Sequence, residues 1–138
     1  MQLFVAAKAL VEHNGKVLLV RESTEYVEGS AAGKWDVVGG RIEPDEEVRV
    51  GLLREVKEEC GLSVEPGVLL GVFDGFHTMR GETCHIVRIY FHCKAVHDEV
   101  TLSDDHDAYA WIDPRAVGDR EFVGDIAEVL QVFNERFI

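Results

Sequence analysis

The sequence predicts an α/β domain, and three observations carry that prediction. Two pairs of β-rich runs, each broken by a short turn, read as antiparallel hairpins. An acidic stretch with helical spacing lies between the pairs, starting near Asp45 to Glu47 and ending at Cys60. An amphipathic run from Phe122 to Phe137 closes the chain. At 138 residues and 15.5 kDa, one domain over residues 1–138 is the natural count. A hydrophobic content of 46% excludes a disordered chain, and no apolar run approaches membrane length. The start, MQLFVAAKAL, has no basic segment ahead of its strand pattern and does not read as a signal peptide.

In order, LFVAAKALVEH and KVLLVRE are apolar strands joined at Asn14-Gly15, a strong two-residue hairpin signal. STEYVEGSAAG, residues 23–33, reads as a loop. Lys34 to Val38 reads as a short strand leading into a turn at Gly39-Gly40, and the acidic helix follows. Val64 to His77 and Thr83 to Val96 form the second antiparallel pair, broken at Met79-Arg80-Gly81-Glu82. VHDEVTLSDDHDA is an acidic loop, and Tyr109 to Ile112 a last strand. Phe122, Ile126, Val129, Leu130 and Phe133 mark the closing helix's buried face.

On a helical wheel Glu58 falls about 60° to one side of Glu55 and Glu59 about 40° to the other, so the three share one face. Leu53, Val56 and Cys60 point the other way, toward a core, and Gly61 supplies the left-handed helix end. Two carboxylates ~5 Å apart near a surface repel by roughly 3 kcal/mol at an effective dielectric of ~20. Such a face is either a solvated acidic surface or a seat for a hard divalent cation with oxygen ligands, Mg²⁺ or Mn²⁺. Gly51 costs roughly 1 kcal/mol inside a helix and lies on the glutamates' side, where it permits a close approach. Arg54 can pair with Glu58 or orient Glu55.

Gly40, five residues, Glu46, seven residues, Arg54-Glu55-Val56, one residue, Glu58-Glu59, one residue, Gly61-Leu62: over 23 residues this resembles the complete Nudix box. A valine, Val38, stands where related sequences usually carry a proline before the paired glycines. The resemblance implies a Nudix-type α/β/α sandwich, a mixed sheet with the box helix and the C-terminal helix packed on it. It implies metal-assisted attack of water on phosphorus in a nucleoside diphosphate linked to another group. Glu55, Glu58 and Glu59 would be metal ligands, with the Gly39 carbonyl as a further one, and Arg54 would orient Glu55. The base is Glu55 in some members and a loop acid in others. Counting back from Trp111 to the loop acid that can complete the metal site in related enzymes gives Asp105; a solvated Asp-rich turn is the competing reading.

Substrate contacts are assigned to Arg21, at the end of the second strand, and to Tyr26 and Phe76 as stacking candidates, with Trp35 beside them. The residues downstream of the box, Thr78, Met79 and Arg80, lack the proline of ADP-ribose pyrophosphatases and the tyrosine of dinucleoside polyphosphate hydrolases. The coenzyme A pattern is also missing. The expectation by elimination is a nucleoside triphosphate pyrophosphatase, including one for oxidised nucleotides, releasing a nucleoside monophosphate and pyrophosphate. ADP-ribose or nucleotide-sugar hydrolysis is the alternative, and a non-catalytic nucleotide-binding module the alternative of another class. Retention of all three glutamates and the arginine favours the enzyme.

A net charge of −12 argues against nucleic-acid or acidic-membrane partners but not against a phosphate substrate, since a bound cation reverses the local sign. Cys60, Cys84 and Cys93 contain no CxxC pair and fit reduced thiols in a cytoplasmic protein. His77, His85 and His92 sit in strand patterns and read as packing or surface residues. A homodimer is left open.

Overall fold

Asn14 and Gly15 both take positive φ, 51° and 79°, the backbone of a type I′ turn. They close the hairpin between β1 (Gln2–His13) and β2 (Lys16–Glu22) in this computed structural model, which describes residues 1–23 and 32–138. Arg80 and Gly81, at 51° and 78°, do the same between β5 (Val64–Met79) and β6 (Glu82–Ala95). The remaining elements are β3 (Trp35–Asp36), β4 (Val38–Arg41), α1 (Val48–Cys60), β7 (His106–Ile112) and α2 (Ile126–Phe137).

The strands form one mixed sheet in the order β3-β2-β1-β6-β5, with β4 also paired to β1 and β7 to β2. β1 is its axis. It runs parallel to β6 from Gln2 to Glu12 and antiparallel to β4 from Ala6 to Ala9. A helix covers each face, an α/β/α sandwich. Ala7, Ala9 and Val11 of β1 meet Leu52, Val56 and Cys60 of α1, while Leu10 joins Ile126, Val129, Leu130 and Phe133 of α2. Side chains of the Leu and Ile kind each contribute about 1.5–3 kcal/mol when fully buried.

Four local expectations are corrected. Gly39-Gly40 is not a turn but part of β4, opposite Lys8 and Ala7. The break falls earlier, at Val37, whose N–H donates to Asp36 Oδ1 at 2.7 Å instead of joining a ladder. The core position on α1 is Leu52, whereas Leu53 is 37% exposed. Leu52 lies four residues before Val56 and eight before Cys60, so it falls on the stripe of α1 that faces the sheet. Finally, α2 starts at Ile126, not Phe122: Gly124 takes φ 44°, and Phe122 lies in an extended segment bridged to Trp35 while still packing on the α2 cluster.

Candidate active site

Two elements adjacent in sequence, β4 and α1, set the site by packing face to face. The Gly39 N–H donates to Glu59 Oε1 at 2.7 Å. At Gly40 a Cβ would lie 2.6 Å from Glu55 Oε2, so only glycine lets that carboxylate sit under the strand. Gly39 is held as tightly, at φ 133° and with a Cβ position 2.3 Å from the Ala7 carbonyl. A Cβ on Gly51 would meet Glu46 Oε1 at 2.6 Å and Ile42 at 2.7 Å. The close approach permitted by Gly51 is that of the 42–46 loop, which brings Glu46 beside the helix.

Glu46 then grips Arg54 through two bonds, Nε to Oε2 at 2.7 Å and Nη2 to Oε1 at 2.8 Å. The Arg54 fork also donates to Glu55 at 3.1 Å, Glu58 at 3.2 Å and the Arg41 carbonyl at 3.2 Å. A bidentate guanidinium–carboxylate pair of this kind fixes direction as well as distance. The bond from Arg54, with that from the Glu43 N–H, holds the Glu46 carboxyl at about 2, and Arg54 itself is raised. Glu55 moves the other way, pushed up by burial against the opposing pull of Arg54.

Glu59 is the most perturbed acid. Burial, with Asp36 and Glu55 nearby, pushes it up to about 8 despite Lys8 and the Gly39 amide. Lys8 belongs to the same knot. It is buried on β1, with Nζ 3.0 Å from Asp36 Oδ2. Burial alone would depress this ammonium, but the charges of Asp36, Glu59 and Glu22 carry it above its ordinary value.

Around Glu59 opens a cleft of about 310 Å³, lined by Lys8, Glu22, Gly40, Arg41, His77, Arg88, Asp105 and His106 among others. At one end Arg88 makes a forked pair with Asp125, at 2.9 and 3.1 Å, and meets His77 Nε2 at 3.1 Å. The Tyr90 hydroxyl donates to the same Asp125. Asp105 is carried to the rim by the bond from the Ser23 N–H to its carbonyl, 3.0 Å. His106 Nδ1 is buried without a hydrogen-bond partner among the described residues, and burial holds that imidazole below its ordinary range. A second cleft of about 680 Å³ reaches Glu55, Arg54 and Glu46 from the other side of Arg41, with an apolar wall of Leu3, Val5, Ile42 and Pro44.

The structure thus gathers Glu55, Glu58, Glu59, Arg54 and Gly39 at one seam and sets Asp105 on the same cleft as Glu59. It is the Gly39 N–H, rather than its carbonyl, that touches a carboxylate. Two residues expected to contact substrate lie off this cleft. Phe76 is 63% exposed and stacked on His85 at 4.5 Å, on the side of β5 opposite the cleft; strand alternation puts its neighbour His77 inside instead. Arg21 is drawn to Asp107 at 2.6 Å and does not line the cleft. Tyr26 lies outside the described residues. Lys8, Asp36, Glu22, Arg88 and Asp125 were not singled out in the sequence. The one available signal was a lysine inside an otherwise apolar strand.

Among the described residues, no three Asp, Glu, His or Cys side chains are grouped closely enough to ligate an ion as they stand. The chemistry of the donor set nevertheless fits a hard divalent cation. Three neighbouring carboxylates share one helix face, one of them pushed up chiefly by burial and further by the other acids, and Arg54 and Lys8 supply the present counter-charge.

Residues 3–133 match the family model of the NUDIX domain. A MutT-like protein of Streptomyces ambofaciens is 33% identical over 114 residues, covering 83% of this chain and 66% of that protein. The CTP pyrophosphohydrolase of Escherichia coli K12 is 28% identical over 114 residues, 83% of this chain and 78% of its own. Among solved structures, a MutT protein from Methanosarcina mazei Go1 superposes with a TM-score of 0.79 at 28% identity, covering 97% of this chain and 94% of that one.

Proposed function

The chain belongs to the NUDIX family and is a pyrophosphohydrolase, and on that premise we propose that it cuts a nucleoside triphosphate into a nucleoside monophosphate and pyrophosphate. Enzymes of this family generally use divalent metal ions, and Mg²⁺ or Mn²⁺ suits the oxygen-only donors here. The observation that carries the reading is the seam itself: Glu59, pushed up to about 8, opens on a cleft whose far end holds a fixed guanidinium. The naming of a similar protein as a CTP pyrophosphohydrolase supports the substrate class.

Glu55, Glu58 and Glu59 would hold the cation, with the Gly39 carbonyl as a further donor. The cation would supply charge neutralisation on the phosphate oxygens and acidify a water. The residues of the chain do the rest. Arg54, clamped by Glu46, holds Glu55 against Gly40 and so fixes its direction. Lys8 keeps positive charge under the phosphates. Asp105, at the rim, would accept a proton from water. Arg88, held by Asp125, and His77 would meet the nucleoside. A preset arrangement of this kind lowers the barrier because the groups need not reorganise as charge develops.

The test is a panel of nucleoside triphosphates, ADP-ribose and nucleotide sugars with Mg²⁺ or Mn²⁺, products separated by ion exchange. A triphosphate yielding monophosphate and pyrophosphate at the highest kcat/KM is expected. Preference for ADP-ribose or a nucleotide sugar would overturn the substrate class. Tight binding without cleavage of any of them would replace the enzyme by a binding module.

A further inference from the structure

Phe4, Ala6 and Lys8 of β1 and Cys84, Ile86 and Arg88 of β6 alternate onto one face of the sheet, in register Phe4 to Ile86 and Ala6 to Arg88. Along that face run two clefts. The inner one, about 310 Å³, holds Lys8, Glu59 and Arg88; the outer one, about 350 Å³, holds Gln2, Phe4, Cys84, Arg80 and Glu82. From Gln2 to Lys8 the groove is roughly 20 Å long at about 3.3 Å per residue. Arg41 lines both halves. Its guanidinium carbon lies 3.8 Å from the centre of the Phe4 ring, and its Nη2 donates to Met79 Sδ at 3.2 Å. The side chain therefore crosses the groove from β4 toward β5 and divides it.

What the crossing guanidinium leaves unused matters as much as where it lies. An arginine carries five N–H donors, and a thioether is a weak acceptor. Met79 Sδ is the only acceptor that the Arg41 side chain reaches among the described residues. A guanidinium that packs over an aromatic ring, stays exposed and lines both halves of a groove running from Glu59 is suited to a terminal phosphate.

We propose that Arg41 is a specificity-determining bar: it binds the unsubstituted end of the phosphate chain and shuts the outer compartment to a second group carried on that chain. The inference rests on the triphosphate reading above. An unesterified terminal phosphate brings additional charge and oxygens to the fork. A sugar or second nucleoside in its place meets the Arg41–Phe4 stack and can be accommodated only by displacing it.

The experiment compares wild type with Arg41→Ala, Arg41→Lys and Phe4→Leu. It reads kcat/KM for CTP and for a cytidine or uridine diphosphate sugar, and calorimetric affinity for the methylene-bridged diphosphate sugar, which is not cut. Wild type is expected to favour the triphosphate. In Arg41→Ala that preference should fall at least tenfold and the methylene analogue should bind at least tenfold tighter, a gain that misfolding cannot produce. Phe4→Leu, which removes the platform, should move both readings the same way by a smaller factor, and Arg41→Lys should lie between wild type and alanine. If both substrates decline together in Arg41→Ala, with the ratio within threefold of wild type and the analogue bound no tighter, the proposal is overturned and the triphosphate reading survives. A wild type that already prefers the diphosphate sugar overturns both.

Discussion

The Gly39 N–H donates to Glu59 Oε1, tying a strand to the last turn of a helix 20 residues further along the chain. That bond aims Glu59 into a buried position next to Asp36 and Glu55, where its carboxyl is pushed up to about 8. In the unfolded chain the same group has an ordinary carboxylate value near 4.5. The folded state therefore keeps a proton that the unfolded state has lost, and stability contributed by this group declines as pH rises from about 4.5 to about 8. Glu59→Gln removes the slope. Urea unfolding without divalent ions should show the variant gaining on wild type steadily between pH 5 and 8. Parallel pH profiles would mean that Glu59 is ionised throughout.

The same proton competes with a cation. Mg²⁺ or Mn²⁺ binding should strengthen with pH, by up to tenfold per unit below about 8, and level off above it. Calorimetry in two buffers of different ionisation enthalpy would detect the released proton. Glu58→Gln and Glu59→Gln should each lower turnover by at least two orders of magnitude, about 3 kcal/mol of barrier. Near-full turnover at saturating Mg²⁺ would remove that residue from the site.

Glu46 responds in the opposite direction. Its bond to Arg54 holds the carboxyl at about 2, below an unfolded value of 4.5. The resulting stability is present above pH 4.5 and is lost as pH falls toward 2. Glu46→Gln should thus be less stable than wild type at pH 7 and equal to it near pH 2. Arg54→Lys keeps the charge but not the fork, so kcat should fall ten- to a hundredfold with little change in KM. A rise in KM alone would make Arg54 a binding residue.

Lys8 and Asp36 are 28 residues apart and share one buried pair. Lys8→Met leaves Asp36 without its cation and should cost about 3–5 kcal/mol in denaturant unfolding. Adding Asp36→Leu should restore much of that loss, because no buried charge then stands alone. A single variant as stable as wild type would show that water reaches Asp36.

Asp105, just before β7, and Asp107, its second residue, separate by environment. Asp105 lines the cleft, whereas Asp107 turns to Arg21 in a pair whose side chains are 29% and 40% exposed, worth no more than about 1 kcal/mol. Asp105→Asn should reduce kcat strongly and leave KM nearly unchanged. Asp104→Asn and Asp107→Asn should leave turnover alone. Equal behaviour of all three would make the loop a solvated turn.

The sequence by itself determined whatever depends on near neighbours. Helical spacing put Glu55, Glu58 and Glu59 on one face, Asn14-Gly15 set a type I′ turn, and apolar or β-rich runs between turn signals marked β1, β2, β5 and β6. These are local rules, with periods of 3.6 and 2 that a reader can follow along the chain. Only the tertiary structure decided which strand lies beside which. Because β1 runs parallel to β6, Arg88 comes beside Ala6 and faces Asp125, 37 residues away. Because β4 pairs with β1, Lys8 meets Asp36 and Glu59. The inward side of β5 was likewise undecidable from its pattern: apolar residues fall on both faces, Val72 and Phe76 on one and Phe73 and Met79 on the other, and the register with β6 turned His77 inward and Phe76 out. Ion pairs and cleft walls are made between distant residues by sheet order and register, and no local period carries that information.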